Sequence, residues 1–208
     1  SHRPVQALPH WPVSEGLSLM ARNVEIKARL HDRESCLMRA EQLTGEPPKI
    51  IHQEDVFFQC ASGRLKLRIL SPQEGELIFY QRPDAAGPKT SHYSIVRINK
   101  PSELRKLLAG AYGIRAVVRK TRHLFVSGRS RIHLDSVYTL GDFLELEVVL
   151  SESEDVSSGE NEARSLMQAL NVEESSLIDV AYIDLIEDGM NNPVIKPTSA
   201  STPTPARF

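Results

Sequence analysis

Residues 129–150 read RSRIHLDSVYTLGDFLELEVVL. Polar and apolar residues alternate through both halves of this stretch. Arg129, Arg131, His133 and Asp135 fall on one face, opposite Ile132 and Leu134. Glu145 and Glu147 then share a face, opposite Leu144, Leu146 and Val148. A period of two marks strands whose two sides meet different surroundings. Leu140-Gly141 supplies the turn between them. So short a link suits antiparallel pairing and leaves no room for a helical crossover.

The same pattern extends outward in both directions. In Ala21–Leu30, Val24, Ile26, Ala28 and Leu30 alternate with Asn23, Glu25, Lys27 and Arg29. Further strand-like runs lie near 50–59, 63–70, 75–82, 90–99 and 113–126, bounded by Ser62-Gly63, Glu74-Gly75, Pro83-Asp84 and Ser127-Gly128. Asp32 reads as the N-cap of a helix through Leu43, with Gly45 beyond its end. Pro101 suits the first turn of a helix to about Ala109. Residues 159–170 and 175–187 read as helices. The expected fold is α+β: an eight-stranded antiparallel barrel with helices packed on its outside. Residues 1–19, with Pro4, Pro9 and Pro12, read as a disordered leader, and 189–208 as a flexible tail. The folded unit is then 20–188.

Composition narrows the function classes. A net charge of -2 over 208 residues gives no global field to draw nucleic acid or anionic lipid. No apolar run approaches a membrane span, and no secretory h-region opens the chain. Two cysteines, Cys36 and Cys60, form no ligand spacing and no disulfide framework, which points to the reducing cytoplasm. His31, His52, His92 and His123 also lack metal-ligand spacing. His133 reads as a hydrogen-bonded structural histidine.

The polar faces carry the functional signal. Arg64, Lys66 and Arg68 share one face, Lys120 and Arg122 another. Any one such face, taken alone, reads as a solvated strand surface. Together they sort by sign: cations dominate the middle strands, while Glu25, Asp135, Glu145 and Glu147 lie towards the two ends. Helices covering the apolar faces would leave the polar faces inside. Converging cations then call for a polyanion, and clustered carboxylates for a hard divalent ion.

The order of motifs resembles the CYTH superfamily, the triphosphate tunnel metalloenzymes. It runs through Asn23-Val24-Glu25-Ile26-Lys27, Gly63–Arg68, Tyr80-Gln81-Arg82-Pro83, Arg119–Arg122, Arg131–Asp135 and Phe143–Glu147, covering nearly all of 21–187. The resemblance is nearest the CyaB-type branch. It implies a tunnel acting on a triphosphate with Mg2+ or Mn2+. By position, Glu25, Glu145 and Glu147 would hold the metal, with Asp135 a further ligand or a water-positioning group. Lys66, Arg68, Arg82, Lys120, Arg122 and Arg131 would hold phosphates. Arg64 is an additional contact, Arg97 a weaker one by strand parity. Lys27 would bind phosphate or tune the attacking water.

Asn23 stands where the signature has its first glutamate, and its amide oxygen can still coordinate a hard ion. Lys66 stands where arginine is usual, and Arg82 where lysine is. The implied activity is triphosphate hydrolysis. The alternatives are a class IV adenylate cyclase, releasing cAMP and pyrophosphate from ATP, and a non-catalytic polyphosphate or nucleotide sensor. The expected partner is a small-molecule triphosphate, with no nucleic acid or membrane; monomer and homodimer both remain open. Phe57, Phe58, Tyr80, Tyr93 and Phe125 read as core, so no base pocket is identified.

Overall fold

Strands form where the alternation places them. They are β1 (Ala21–Arg29), β2 (Lys49–Phe58), β3 (Arg64–Ser71), β4 (Glu74–Gln81), β5 (Lys89–Ile98), β6 (Ile114–Ser127), β7 (Ser130–Val137) and β8 (Gly141–Leu150). The computed structural model describes residues 21–81, 89–151 and 153–191. Arg82 and both expected tails beyond those limits lie outside the described residues.

All neighbouring strands are antiparallel, in the order β1-β5-β4-β3-β2-β6-β7-β8. β1 pairs with β8 on one side and β5 on the other, so the sheet closes on itself. Closure leaves no free edge and separates an inner face from an outer one.

The helices explain which face is which. Helix α1 (Arg33–Thr44) starts where the Asp32 carboxylate accepts the Ser35 N–H at 3.0 Å and stops at Gly45, whose φ of 72° is left-handed. Helix α3 (Val156–Ala169) starts three residues earlier than its periodicity suggests, at an Asp155 cap. Together they cover the outward residues Val24, Ile26, Ile132, Leu134, Leu144 and Leu146 in one apolar cluster. At Gly159 a Cβ would lie 2.7 Å from Leu150 and 2.9 Å from Val24, so α3 sits as close as the missing side chain allows. Helix α2 (Pro101–Tyr112) covers Val56, Phe58 and Leu67 in the same way.

The last helix departs from expectation. Residues 174–176 form only a 3-10 turn, and α4 (Tyr182–Asn191) begins seven residues later than the sequence pattern suggests. The backbone explains the delay. Among the described residues β5 matches β1 as far as Glu25, while Leu177 bridges to Ala28 and the Ile178 N–H donates to the Lys27 carbonyl at 2.9 Å. Backbone groups used this way cannot also close a helix. The start of α4 then packs among Phe57, Ala116, Val118, Val137 and Phe143, capping one end of the barrel. Among the described residues no helix is long and apolar enough to cross a membrane.

Candidate functional site

With the apolar faces taken up by helices, the polar faces point inward. They enclose a cavity with about 150 Å³ open to water. Asn23, Glu25 and Lys27 line it from β1, Glu145 and Glu147 from β8, and Arg131 from β7. Lys120 and Arg122 enter from β6, Lys66 and Arg68 from β3. Charged and polar side chains from five separate strands thus converge on one space.

Asp135 is the most completely held of the expected residues. It is fully buried, and its Oδ1 accepts from Arg122 Nε at 2.7 Å. Its Oδ2 accepts from Arg122 Nη2 at 2.7 Å, Lys120 Nζ at 2.9 Å and the Tyr182 hydroxyl at 3.1 Å. Burial alone would raise its carboxyl; Lys120 and Arg122 outweigh this and hold it well below the usual carboxylate range. Arg122 Nη2 also reaches Glu145 Oε2 at 2.7 Å, and Lys27 Nζ stands 3.9 Å from Glu145 Oε1. Burial opposes the Glu145 charge, while Lys27, Arg122 and Lys120 favour it and hold its carboxyl far down.

Asp55 was missed by sequence reasoning. It faces inward on β2, where Lys66 Nζ donates to its Oδ2 at 3.0 Å and Arg68 Nε to its Oδ1 at 3.1 Å. Burial would raise this carboxyl too; Lys66 and Arg68 hold it low. Burial pushes Lys66 down to about 8, with Asp55 opposing the fall and Arg68 and Lys120 adding to it. Tyr182 was missed as well. Its ring lies 3.8 Å below Lys27 Nζ and 5.0 Å from Lys120 Nζ, within range of cation–π attraction.

Phe57 is buried in the core as expected and also borders the cavity, which Tyr80 and Tyr93, expected in the core, line together with Ile78 and Ile95. Phe58 and Phe125 are core as expected. Two of the weaker expected contacts lie elsewhere. Arg97 is exposed near the end of β5, opposite Glu76. Arg64 does not line the cavity; it ties β3 to α4 through Asp184 at 3.0 Å.

His133 differs from its expected hydrogen-bonded role. It is 4% exposed, and among the described residues neither ring nitrogen has a hydrogen-bond partner. Its Nε2 lies 3.9 Å from Glu147 Oε2. Burial and Arg122 push it down to about 4, against the pull of Glu147, Glu145 and Asp135, so the ring is neutral at neutral pH.

The carboxylate wall suits a hard cation in its donor types. Glu25 stands directly opposite Glu147 in the β1–β8 register, a like-charge pairing that destabilises a sheet by itself. On the same β1 face, the buried Asn23 Oδ1 accepts no hydrogen bond from the described residues. Oxygen donors of this kind fit Mg2+ or Mn2+. Among the described residues, no three carboxylate, imidazole or thiol groups already converge on one point. Arg122 draws Glu145 aside, and Arg131 stands 3.5 Å from Glu147.

Comparison with known proteins agrees with this architecture. The family profile of the CYTH domain matches residues 21–182. A Methanocaldococcus jannaschii protein named "Putative adenylate cyclase MJ0240" is 25% identical over 170 residues, spanning 78% of this chain and 97% of its own. The PH1012 protein of Pyrococcus horikoshii shares the fold with a TM-score of 0.69 at 21% identity, over 78% of this chain and 98% of its own. A Hippeastrum protein, HpAC1, is described as a putative adenylyl cyclase with a dominant triphosphatase activity. It aligns with a TM-score of 0.56 at 14% identity, over 80% of this chain and 96% of its own.

Proposed function

The chain belongs to the CYTH domain family, and from that premise we propose that it hydrolyses a triphosphate with the help of a divalent cation. One observation carries the reading: a single enclosed cavity holds paired cations from β3 and β6 and a carboxylate wall from β1 and β8. The Hippeastrum relative's described triphosphatase activity supports hydrolysis over cyclisation. On this reading the unit that includes β1 through α4 works in the cytoplasm as a phosphohydrolase.

Phosphoryl transfer asks a protein mainly to position groups and to balance charge. Lys66, Arg68, Lys120 and Arg122 bind the phosphate oxygens, with Arg131 at the carboxylate side. The two arginines offer planar forks that match phosphate geometry. Lys27 stands between Glu145 and the Tyr182 ring, placed to neutralise an oxygen next to the carboxylates. Glu25, Glu145 and Glu147, with the Asn23 amide oxygen, would hold Mg2+ or Mn2+. When bound, the cation supplies Lewis-acid charge stabilisation on the phosphate oxygens. Asp135 acts through Lys120 and Arg122, since both its oxygens are already engaged. A water molecule adds to the terminal phosphorus, the bond to the bridging oxygen breaks, and orthophosphate leaves with a diphosphate.

The apolar wall of Ile78, Tyr80, Tyr93 and Ile95 favours an organic triphosphate over the inorganic one. The test is phosphate release from tripolyphosphate, thiamine triphosphate and ATP, with Mg2+, Mn2+ or EDTA. Glu147→Gln should lower metal-dependent turnover roughly 10²–10³-fold. Full turnover in that variant overturns the assignment. Cyclic AMP and pyrophosphate from ATP would replace hydrolase by cyclase, and binding without turnover would leave a sensor.

A further inference from the structure

The cavity contains one arrangement twice. On β6, Lys120 and Arg122 stand two residues apart, and Asp135 of the neighbouring strand is the direct register partner of Arg122. On β3, Lys66 and Arg68 stand two residues apart, and Asp55 of the neighbouring strand is the direct register partner of Arg68. In both places one aspartate oxygen takes the lysine and the other takes the arginine Nε, at 2.7–3.1 Å. Both aspartates are buried, Asp55 at 3% exposure and Asp135 at 0%.

We propose that Asp55 is a positioning residue of the phosphate site, holding Lys66 and Arg68 as a second cation clamp that matches the one Asp135 forms on Lys120 and Arg122. This rests on the reading of the cavity as a triphosphate site. A buried carboxylate between two cations does two things for anion binding. It fixes both side chains before the ligand arrives, so less rotamer freedom is lost on binding. It also supplies counter-charge while the cavity is empty of phosphate, without which neighbouring cations repel.

The second effect bears on Lys66 in particular. A lysine can lose its charge in such a place, whereas an arginine cannot. The groups sharing its inner face are Asp55 on β2, Arg64 and Arg68 on β3, Glu76 and Tyr80 on β4, and Lys120 on β6. Among the described residues Asp55 is the anion bonded to it, at 3.0 Å. Arg68 and Lys120 both push towards the neutral amine. Removing the Asp55 charge therefore leaves Arg68 and Lys120 as the charges acting on Lys66, while Glu76 is engaged by Arg68 at 3.3 Å. At the other clamp, Lys120 keeps Asp135 whatever happens at Asp55, so the alkaline response belongs to Lys66.

Binding of inorganic tripolyphosphate in EDTA, followed by calorimetry between about pH 6 and 9, tests this on the full chain. Wild-type affinity should fall roughly tenfold within one pH unit above the Lys66 midpoint. Lys66→Arg should remove that fall, since the guanidinium stays charged. Asp55→Asn should bind several-fold less tightly than wild type even near pH 6, because Lys66 and Arg68 are no longer held before the ligand arrives. Its fall should begin about a unit or more lower, and Lys66→Arg in the same chain should restore binding near pH 8. The ligand's own titration is common to all variants and cancels in the comparison. An alkaline midpoint in Asp55→Asn equal to that of wild type, or an alkaline fall that survives Lys66→Arg, overturns the proposal. If Asp55→Asn does not fold, the wild-type and Lys66→Arg curves decide alone: parallel curves reject it. Failure of wild type to bind tripolyphosphate at any pH instead rejects the phosphate reading of the cavity, and the clamp with it.

Discussion

The two sides of β7 and β8 are made from alternate residues of one backbone, yet they hold the molecule together by different physics. Outward, Ile132, Leu134, Leu144 and Leu146 are fully buried beneath α1 and α3. Nothing directional is asked of them; their contribution follows the apolar area removed from water. Inward, Asp135 and Glu145 are packed nearly as tightly, but each oxygen has a donor within bonding distance or a cation close by. The outer face tolerates an apolar side chain of suitable volume. The inner face tolerates burial only while every charge keeps its partner. Folding alone explains the outer face. The inner face carries so many buried charges that a ligand is the economical explanation for their presence.

The comparison breaks most visibly at Asp135. Asp135→Asn leaves Lys120 and Arg122 without their shared counter-charge and should destabilise the fold by about 3–5 kcal/mol. The loss should depend on pH. The Asp135 carboxyl is held low in the fold, so the unfolded chain takes up that proton first as pH falls. Its contribution is complete above about pH 5 and drains away as pH drops below about 4. Urea unfolding of the variant should therefore show a flatter acid limb than wild type, with the curves converging at low pH. A pH-independent difference would mean that the carboxylate charge is not what holds the clamp.

Leu146→Ala on the opposite face should cost about 2–5 kcal/mol by transfer and cavity terms. That loss should be equal at pH 5 and pH 8. Tripolyphosphate affinity of the folded fraction should not change, because Leu146 lies behind the backbone that carries Glu145 and Glu147. A shift in affinity would show that the two faces are coupled and that the barrel wall is not rigid.

Alternation made both faces legible in the sequence, and with them the strand order along the chain. A period of two says that a strand has two faces; it does not say which one is enclosed. The sorting of charge by sign pointed inward, and the helices at Arg33–Thr44 and Val156–Ala169 supplied the covering. Asp55 stayed hidden because Glu54 precedes it. Two adjacent carboxylates place one on each face, and parity alone cannot rank them. The structure sends Glu54 outward to Arg105 and Arg119, at 2.6 and 2.7 Å, and Asp55 inward. Arg97 shows the reverse error: parity is right, but the residue lies too near the strand end to reach the cavity. Tyr182 had no signal, since it follows an irregular segment whose path depends on backbone bonds to Lys27 and Ala28.

Tyr182 is where the two kinds of packing meet, and its removal in parts gives the smallest and sharpest effect. The ring belongs to the apolar cluster at the barrel end, 4.9 Å from the Phe143 ring centroid, while its edge and face meet the charged interior. Burial, and then the Asp135 charge, hold the phenol far above its usual range, so it stays a neutral donor. In Tyr182→Phe the ring and its contacts with Lys27 and Lys120 remain, and Asp135 Oδ2 keeps two cationic donors. The expected loss is that of one hydrogen bond, about 0.5–1.5 kcal/mol, with no change in the urea m-value. Tyr182→Leu also removes the aromatic face beneath Lys27 and should weaken tripolyphosphate binding as well as stability. If the two variants behave alike, the hydroxyl is the whole contribution and the ring beneath Lys27 is only filler. If Tyr182→Phe is silent while Tyr182→Leu is not, the inner face gains its order from the aromatic surface, and the polar network around Asp135 is complete without the phenol.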